Sequence, residues 1–207
     1  MACDTLFSFA ACTPTSLLMM PEHALPLQFL EAARASGRGM PPVERWNPAY
    51  CGKIDMRIAA DGRWFYNGTP ILRPALVKLF ASILRKDEDE HVLVTPAERV
   101  GIIVEDAPFL AVEMAEMTGE NGPTLAFRTN LDEIIVLGAA HPLRFASSTE
   151  GFKPYIRVRG DLWARLTRTL AVELAERLEE GPEGPVLLAN GCRFAVPAAG
   201  ERENHDG

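Results

Sequence analysis

The sequence predicts an α+β protein, in which a small helix/β-meander/helix N-terminal unit packs on an antiparallel β-barrel capped by a C-terminal helix. Three observations carry this. The apolar period changes from about 3.6 residues to about 2 after residue 90. Breaks recur between the short apolar runs that follow, at Pro96, Pro108, Asn121-Gly122 and Asn130. A last helical stripe then runs through Trp163, Leu166, Leu170, Leu174 and Leu178.

Composition narrows the function classes. The chain has 207 residues, 47% hydrophobic and 24% charged, which suits a packed core. Its net charge is −7 and its pI about 5.2. Binding to nucleic acid draws on clustered Lys and Arg, so a polyanion is not the expected partner, although a local basic groove could hold one small anion. Cys3, Cys12, Cys51 and Cys192 form no Cys-x-x-Cys pair, and His23, His91, His141 and His205 are equally scattered. No metal, cofactor or disulfide framework is expected, and a reducing cytoplasm fits best.

The leader, residues 1–20, has no basic start, carries Asp4 and is interrupted at Thr13, Pro14 and Thr15. It reads neither as a secretory signal nor as a membrane span, and "Met19-Met20-Pro21" is the expected true start. "LPLQFLEAARAS", residues 25–36, predicts a short helix stopped by Gly37, followed by a Pro/Gly-rich connector. "IDMRIAADGRWFYNGTPIL" alternates strand-like runs with turns at Asp61-Gly62 and Asn67-Gly68. The second predicts a tight hairpin with φ > 0 at both central residues. "PALVKLFASILRK", residues 74–86, predicts a helix with Pro74 in its first turn, ending in a solvated acidic run at 87–90.

Strands are expected at His91–Thr95, Arg99–Glu105, Phe109–Met114, Thr124–Thr129, Ile134–Gly138, Leu143–Ser147 and Tyr155–Arg159. A long helix follows, with Asp161 as N-cap and Gly181-Pro182 as stop. "PVLLANGCRFAV" predicts a final hairpin, and residues 199–207 a polar tail. The plan of short strands capped by a helix resembles a pleckstrin-homology-like barrel. The expected division is therefore 21–90 and 91–198. A unit as small as 21–90 is marginal alone, so it should lean on the barrel and form a cleft there.

Residues 54–114 carry a more specific resemblance. "IDMRIAADGRWFYNGTPILRPALVKLFASILR" and "LVTPAERVGIIVEDAPFLAVEM" resemble a proteobacterial family, domain of unknown function 1285. The shared features are the Asp-Gly-x-Trp-Phe hairpin, the Pro-Ile-x-Arg helix entry, the Leu-Phe-Ala helix, and the Val-Thr-Pro-x-Glu and Val-Glu-Asp-Ala-Pro-Phe strand ends. The resemblance implies a two-part fold with a duplicated core and a pleckstrin-homology-like C-terminal part. It also implies a ligand site at the interface, for a nucleotide-like molecule in signalling. It implies no enzymatic activity.

The candidate ligand-binding residues are Arg57, Trp64, Tyr66, Arg73, Thr95, Glu98, Glu105, Asp106, Tyr155, Arg157 and Arg159. Trp64 and Tyr66 share a strand face near Arg57, which suits either a stacking shelf with an anion hold or a core with a salt-bridged rim. Tyr155, Arg157 and Arg159 form a row on one strand face, with the arginines about 7 Å apart, a spacing that suits phosphate or carboxylate. Arg73 precedes Pro74 at a helix N-terminus, where anions are favoured. Thr95 and Glu98 close a turn, with Glu98 as a local cap. Asp106 is expected to hydrogen-bond its own turn, and Glu105 to be an exposed or paired carboxylate. No nucleophile, metal or histidine stands near these acids in sequence, so they do not read as a general acid–base pair.

The leading reading is a non-enzymatic cytoplasmic ligand-binding or signalling protein that clasps a small anion at the interface, with no membrane partner. The alternative is a protein–protein scaffold using the barrel surface, and the third an enzyme acting on a phosphoester.

Overall fold

A computed structural model describes residues 40–148, 151–182 and 184–197. The leader, the helix expected over 25–36 and the tail lie outside the described residues. Val43–Arg45 form a 3-10 turn that buries Val43. Arg85 Nη1 donates to the carbonyls of Val43 and Trp46 at 2.7 and 2.8 Å, which ties this segment to the sheet.

The first sheet contains β1 (Tyr50–Ile58), β2 (Trp64–Tyr66), β3 (Thr69–Pro70), β4 (Leu84–Asp87), β5 (Glu90–Val94) and β6 (Arg99–Val104), in the order β3-β2-β1-β6-β5-β4. Asn67 and Gly68 have φ of 47° and 71°, as a tight hairpin requires. Helix α1 (Pro74–Ser82) lies between β3 and β4. It ends four residues before the expected Lys86, because Leu84–Asp87 pairs antiparallel with β5. Leu84, buried, sits opposite Leu93, so sheet pairing overrides local helix propensity. The acidic run at 87–90 is then a hairpin turn with Glu88 at φ 51°, not a helix end.

The second sheet contains β7 (Phe109–Gly119), β8 (Gly122–Thr129), β9 (Ile134–Val136), β10 (Leu143–Ser148), β11 (Gly151–Arg159) and β12 (Leu162–Leu166), in the order β10-β11-β12-β7-β8-β9. Counted from the first strand of each six, the two orders are identical. In both, the first and sixth strands are parallel: β1 with β6, and β7 with β12. The core is thus a duplication. The antiparallel barrel expected from the sequence is corrected to two open, mixed sheets. The sixth strand returns beside the first in the sheet centre, which leaves the third and fourth strands as unjoined edges.

The long helix expected from Asp161 is also corrected. Residues 162–166 are β12, in which Leu162, Ala164 and Leu166 are buried while Trp163 and Arg165 take the other face. Only Arg168–Ala175 is helical (α2), with Leu170, Ala171 and Leu174 buried. Asp161 is not a cap; it lies in the turn between β11 and β12. A third sheet, β13 (Glu179–Gly181), β14 (Gly184–Ala189) and β15 (Cys192–Ala195), closes the described chain, and Asn190 and Gly191 form its expected hairpin turn with φ of 49° and 72°. Asn190 ties this third sheet to the second: it accepts the Asn121 N–H at 2.9 Å, and a Cβ on Gly119 or Gly138 would lie 2.7 or 2.9 Å from its side chain.

One apolar cluster runs through the fold. It joins Met56, Ile58, Trp64, Phe80 and Leu93 of the first sheet's layer to Phe109, Phe127, Ile156 and Leu174 of the second. The division expected at residues 90 and 91 runs through the β4–β5 hairpin, whereas the sheets themselves change over after β6.

Candidate functional site

Strand alternation builds the junction between the sheets. On β11 and β12, Ile156, Val158, Leu162 and Ala164 face the core, and Tyr155, Arg157, Trp163 and Arg165 take the opposite face. From the first sheet, β6 runs into a bend at Glu105 and Asp106. Glu105 accepts the Ala60 N–H at 2.9 Å and pairs with Arg57. Those two contacts, the backbone bond first, hold its carboxyl below the ordinary value. Asp106 accepts the Tyr155 hydroxyl at 2.7 Å and pairs with Arg165 at 3.1 Å. Arg165 Nη2 also donates to the Ala60 carbonyl at 2.8 Å. The peptide groups of Ala60 are thus held from both sides. Tyr155 is 6% exposed, and burial followed by Asp106 pushes its phenol up to about 12.

The network continues along the second sheet. The Arg144 guanidinium lies 5.1 Å from the Tyr155 ring centre and 4.3 Å from that of Trp163. Trp163 Nε1 donates to Asp161 at 2.7 Å, and Asp161 pairs with Lys86 of β4 at 2.7 Å. His91, opposite Lys86, is pushed down to about 4 by burial first and the lysine second. Glu105 and Asp106, in the turn after β6, both clamp cations.

The remaining candidates do not converge. Trp64 is 1% exposed and stacks on Phe80 at 6.3 Å, so it is a core residue. Tyr66 packs beside it, opposite Met56, whereas Arg57 lies opposite Phe65 and over its ring at 4.4 Å. The core with a salt-bridged rim is the arrangement present. Thr95 is buried, and its hydroxyl caps this turn by accepting the Ala97 and Glu98 amides at 3.3 and 3.1 Å. Arg157 donates to the Ala140 carbonyl at 3.0 Å. Arg159 meets both Glu133 oxygens at 2.8 Å and the Ala81 carbonyl at 2.6 Å. Arg73 is exposed beside a small hollow of about 170 Å³ that Tyr66 and Leu76 also line. The expected row is corrected: a bulge between Arg157 and Arg159 sets Arg159 opposite the buried Leu162, and both arginines are engaged by the protein's own acceptors.

A groove that the sequence reading missed lies between α2 and the β11–β12 pair. Its volume is about 880 Å³, within the range of small-molecule sites. Leu166, Ala171, Val172 and Ala175 supply an apolar wall, and the charged residues of the lining are Lys153, Arg165, Arg168 and Glu176. Phe152 adds a ring that is backed by Phe145 at 5.4 Å and 36% exposed. Arg165 and Arg168 shortly before Ala171, Val172 and Ala175 were the available signal, and reading 161–180 as one helix hid it. Among the described residues, no three His, Cys, Asp or Glu side chains gather as a metal site. No described helix is long and apolar enough to cross a membrane.

Two like-ordered mixed sheets, clamped by ion pairs and followed by a helix that opens a groove, define a duplicated two-part protein. The chain belongs to the DUF1285 family: the N-terminal domain of that family, a domain of unknown function, matches residues 41–107, and the C-terminal domain matches 108–196. The boundary between the two matches falls between β6 and β7. The chain is similar to the crystal structure of a DUF1285 family protein from Silicibacter pomeroyi DSS-3, at 42% identity and TM-score 0.75 over 82% of this chain and 94% of that one. A DUF1285 family protein from Shewanella baltica OS155 matches at 29% identity and TM-score 0.48, over 58% of this chain and 90% of that one. No curated protein matches the chain.

Proposed function

We propose that the protein is a non-enzymatic binder of a small, anionic, nucleotide-like ligand in a signalling role, and that the ligand sits in the α2 groove. In this reading the second sheet and α2 serve as a pleckstrin-homology-like module. The observation that carries the proposal is the combination in one groove of Lys153, Arg165 and Arg168 with an apolar wall and the exposed ring of Phe152. Cations suit a phosphate or carboxylate, and a ring with one open face suits a planar group. In a chain of net charge −7, such a concentration of positive charge is a local departure. A cytoplasmic setting accords with Cys51 and Cys192, neither of which is in a disulfide.

Thermal-shift screening with nucleotides, dinucleotides and cyclic dinucleotides tests the proposal. A ligand at about 100 times its Kd stabilises by ~2.7 kcal/mol. For a chain of this size that is a rise of roughly 5–10 °C in Tm. Arg168→Glu should abolish the rise while leaving the unliganded Tm nearly unchanged, since Arg168 is exposed. If no anion raises Tm, or if Arg168→Glu and Val172→Glu both keep the full rise, the groove is not the site and the protein-scaffold reading takes its place.

A further inference from the structure

We infer that Arg165 couples occupancy of the groove to the junction between the two sheets, so that ligand binding and docking of the β1–β2 turn compete for one guanidinium. The inference rests on the groove reading above and concerns its regulation. Arg165 belongs to both places: it lines the groove beside Arg168, and its two terminal nitrogens hold Asp106 at 3.1 Å and the Ala60 carbonyl at 2.8 Å.

Three features make this arrangement changeable. Arg165 Nε is buried and has no hydrogen-bond partner, so the present geometry leaves a donor of this side chain unsatisfied. Asp106 would not be stranded if Arg165 turned away, because the Tyr155 hydroxyl still donates to it at 2.7 Å. The turn of residues 59–63 is the element that would respond. Its Ala60 carbonyl is held across the junction by Arg165, and at Gly62 the second sheet approaches closely, a Cβ there lying 2.9 Å from Asn130 Nδ2 and 3.2 Å from Leu110 Cδ1. A phosphate in the groove offers the planar guanidinium a charged partner with two oxygens that can accept two parallel N–H bonds, in place of one carboxylate oxygen and one carbonyl. Turning toward it frees the Ala60 carbonyl from the second sheet and leaves the turn tied through its N–H to Glu105 alone. The coupling is reciprocal: whatever loosens Arg165 from the junction strengthens the ligand by the same factor.

Adenosine 5′-diphosphate, with a planar base and two phosphates, is the probe for titration calorimetry on the whole chain. Asp106→Asn keeps an acceptor for Tyr155 but removes the charge that holds Arg165, and it should bind the probe at least about fivefold more tightly than the unaltered protein. Arg165→Gln should lose the probe. In the unaltered protein, saturating probe should speed amide hydrogen exchange across residues 60–63, a readout that does not depend on how Asp106→Asn folds. Equal affinity in Asp106→Asn together with unchanged exchange at 60–63 overturns the coupling while leaving the groove as a binding site. No binding of the probe to the unaltered protein overturns the groove reading and the coupling together.

Discussion

The two sheets share a strand order and a parallel first–sixth pair, yet they place their helices differently. In the first, α1 enters between the third and fourth strands and drives Val77, Phe80 and Ala81 into the core, with Phe80 stacked on Trp64. The hollow beside it is about 170 Å³. In the second, residues 137–142 make a short link between the equivalent strands, tied by the Gly138–His141 bridge. The helix comes instead after the sixth strand, where α2 buries Leu170, Ala171 and Leu174 but leaves Val172 exposed over a groove of about 880 Å³. A duplicated core tolerates moving its helix because each sheet brings its own apolar face; the space for a ligand then appears where the helix covers the sheet incompletely.

The comparison breaks first if the halves are energetically separate. Phe80→Ala in the first layer and Phe127→Ala in the second each remove a fully buried ring from one shared cluster, and each should cost about 3–5 kcal/mol. Calorimetry should show one transition, moved down as a whole in both variants. Two separated peaks would mean that the sheets fold independently.

Close-approach glycines test the comparison at a smaller scale. A Cβ on Gly101 in β6 would lie 2.7 Å from both Glu90 Oε1 and the Tyr50 hydroxyl. Gly101→Ala should cost about 1–3 kcal/mol by overpacking. Gly138→Ala meets Asn190 Nδ2 at 2.9 Å, and because the Asn190 carbonyl oxygen accepts the Asn121 N–H at 2.9 Å this short side chain cannot turn aside freely, so the cost in urea unfolding should be comparable.

Opposite pH limbs should separate the two sheets further. His91 of the first sheet is held near 4, against 6.5 ordinarily, so the unfolded chain takes up its proton first. Its contribution is complete above pH 6.5 and is lost as pH falls toward 4. Tyr155 of the second sheet is held near 12, against 10, so its contribution is complete below pH 10 and is lost as pH rises toward 12. Tm measured across pH should show His91→Gln flattening the acid limb alone and Tyr155→Phe the alkaline limb alone. The smallest effect is expected at Lys78, whose pair with Asp132 links α1 to the second sheet at 2.5 Å but is about half exposed on both sides. Lys78→Ala should leave Tm unchanged within error, and a clear drop would give this surface tie a weight that solvent screening does not allow.

The sequence by itself determined the features set within a few residues. Asn67-Gly68 and Asn190-Gly191 had to turn, because few other pairs accept two positive φ values in succession. Pro74 opened α1, and alternation placed Ile156 and Val158 inward. Glu105 was legible as a paired carboxylate, whereas Asp106, expected to bond its own turn, holds Tyr155 and Arg165 instead. Tertiary structure decided the rest. Leu84 and Arg85 carry a helical stripe, and only pairing with Leu93 and Val92 made them strand. "LWARL" satisfies both a helical and a strand period, and the parallel partner β7 chose between them. The arginines looked available to a ligand because their acceptors are remote: Glu105 lies 48 residues from Arg57, and Ala81 lies 78 residues from Arg159. Turn and helix-entry preferences arise from sterics between adjacent peptides, so they can be read along the chain. Strand partners, ion-pair partners and the groove under α2 arise from groups brought together only when both sheets have closed on one core.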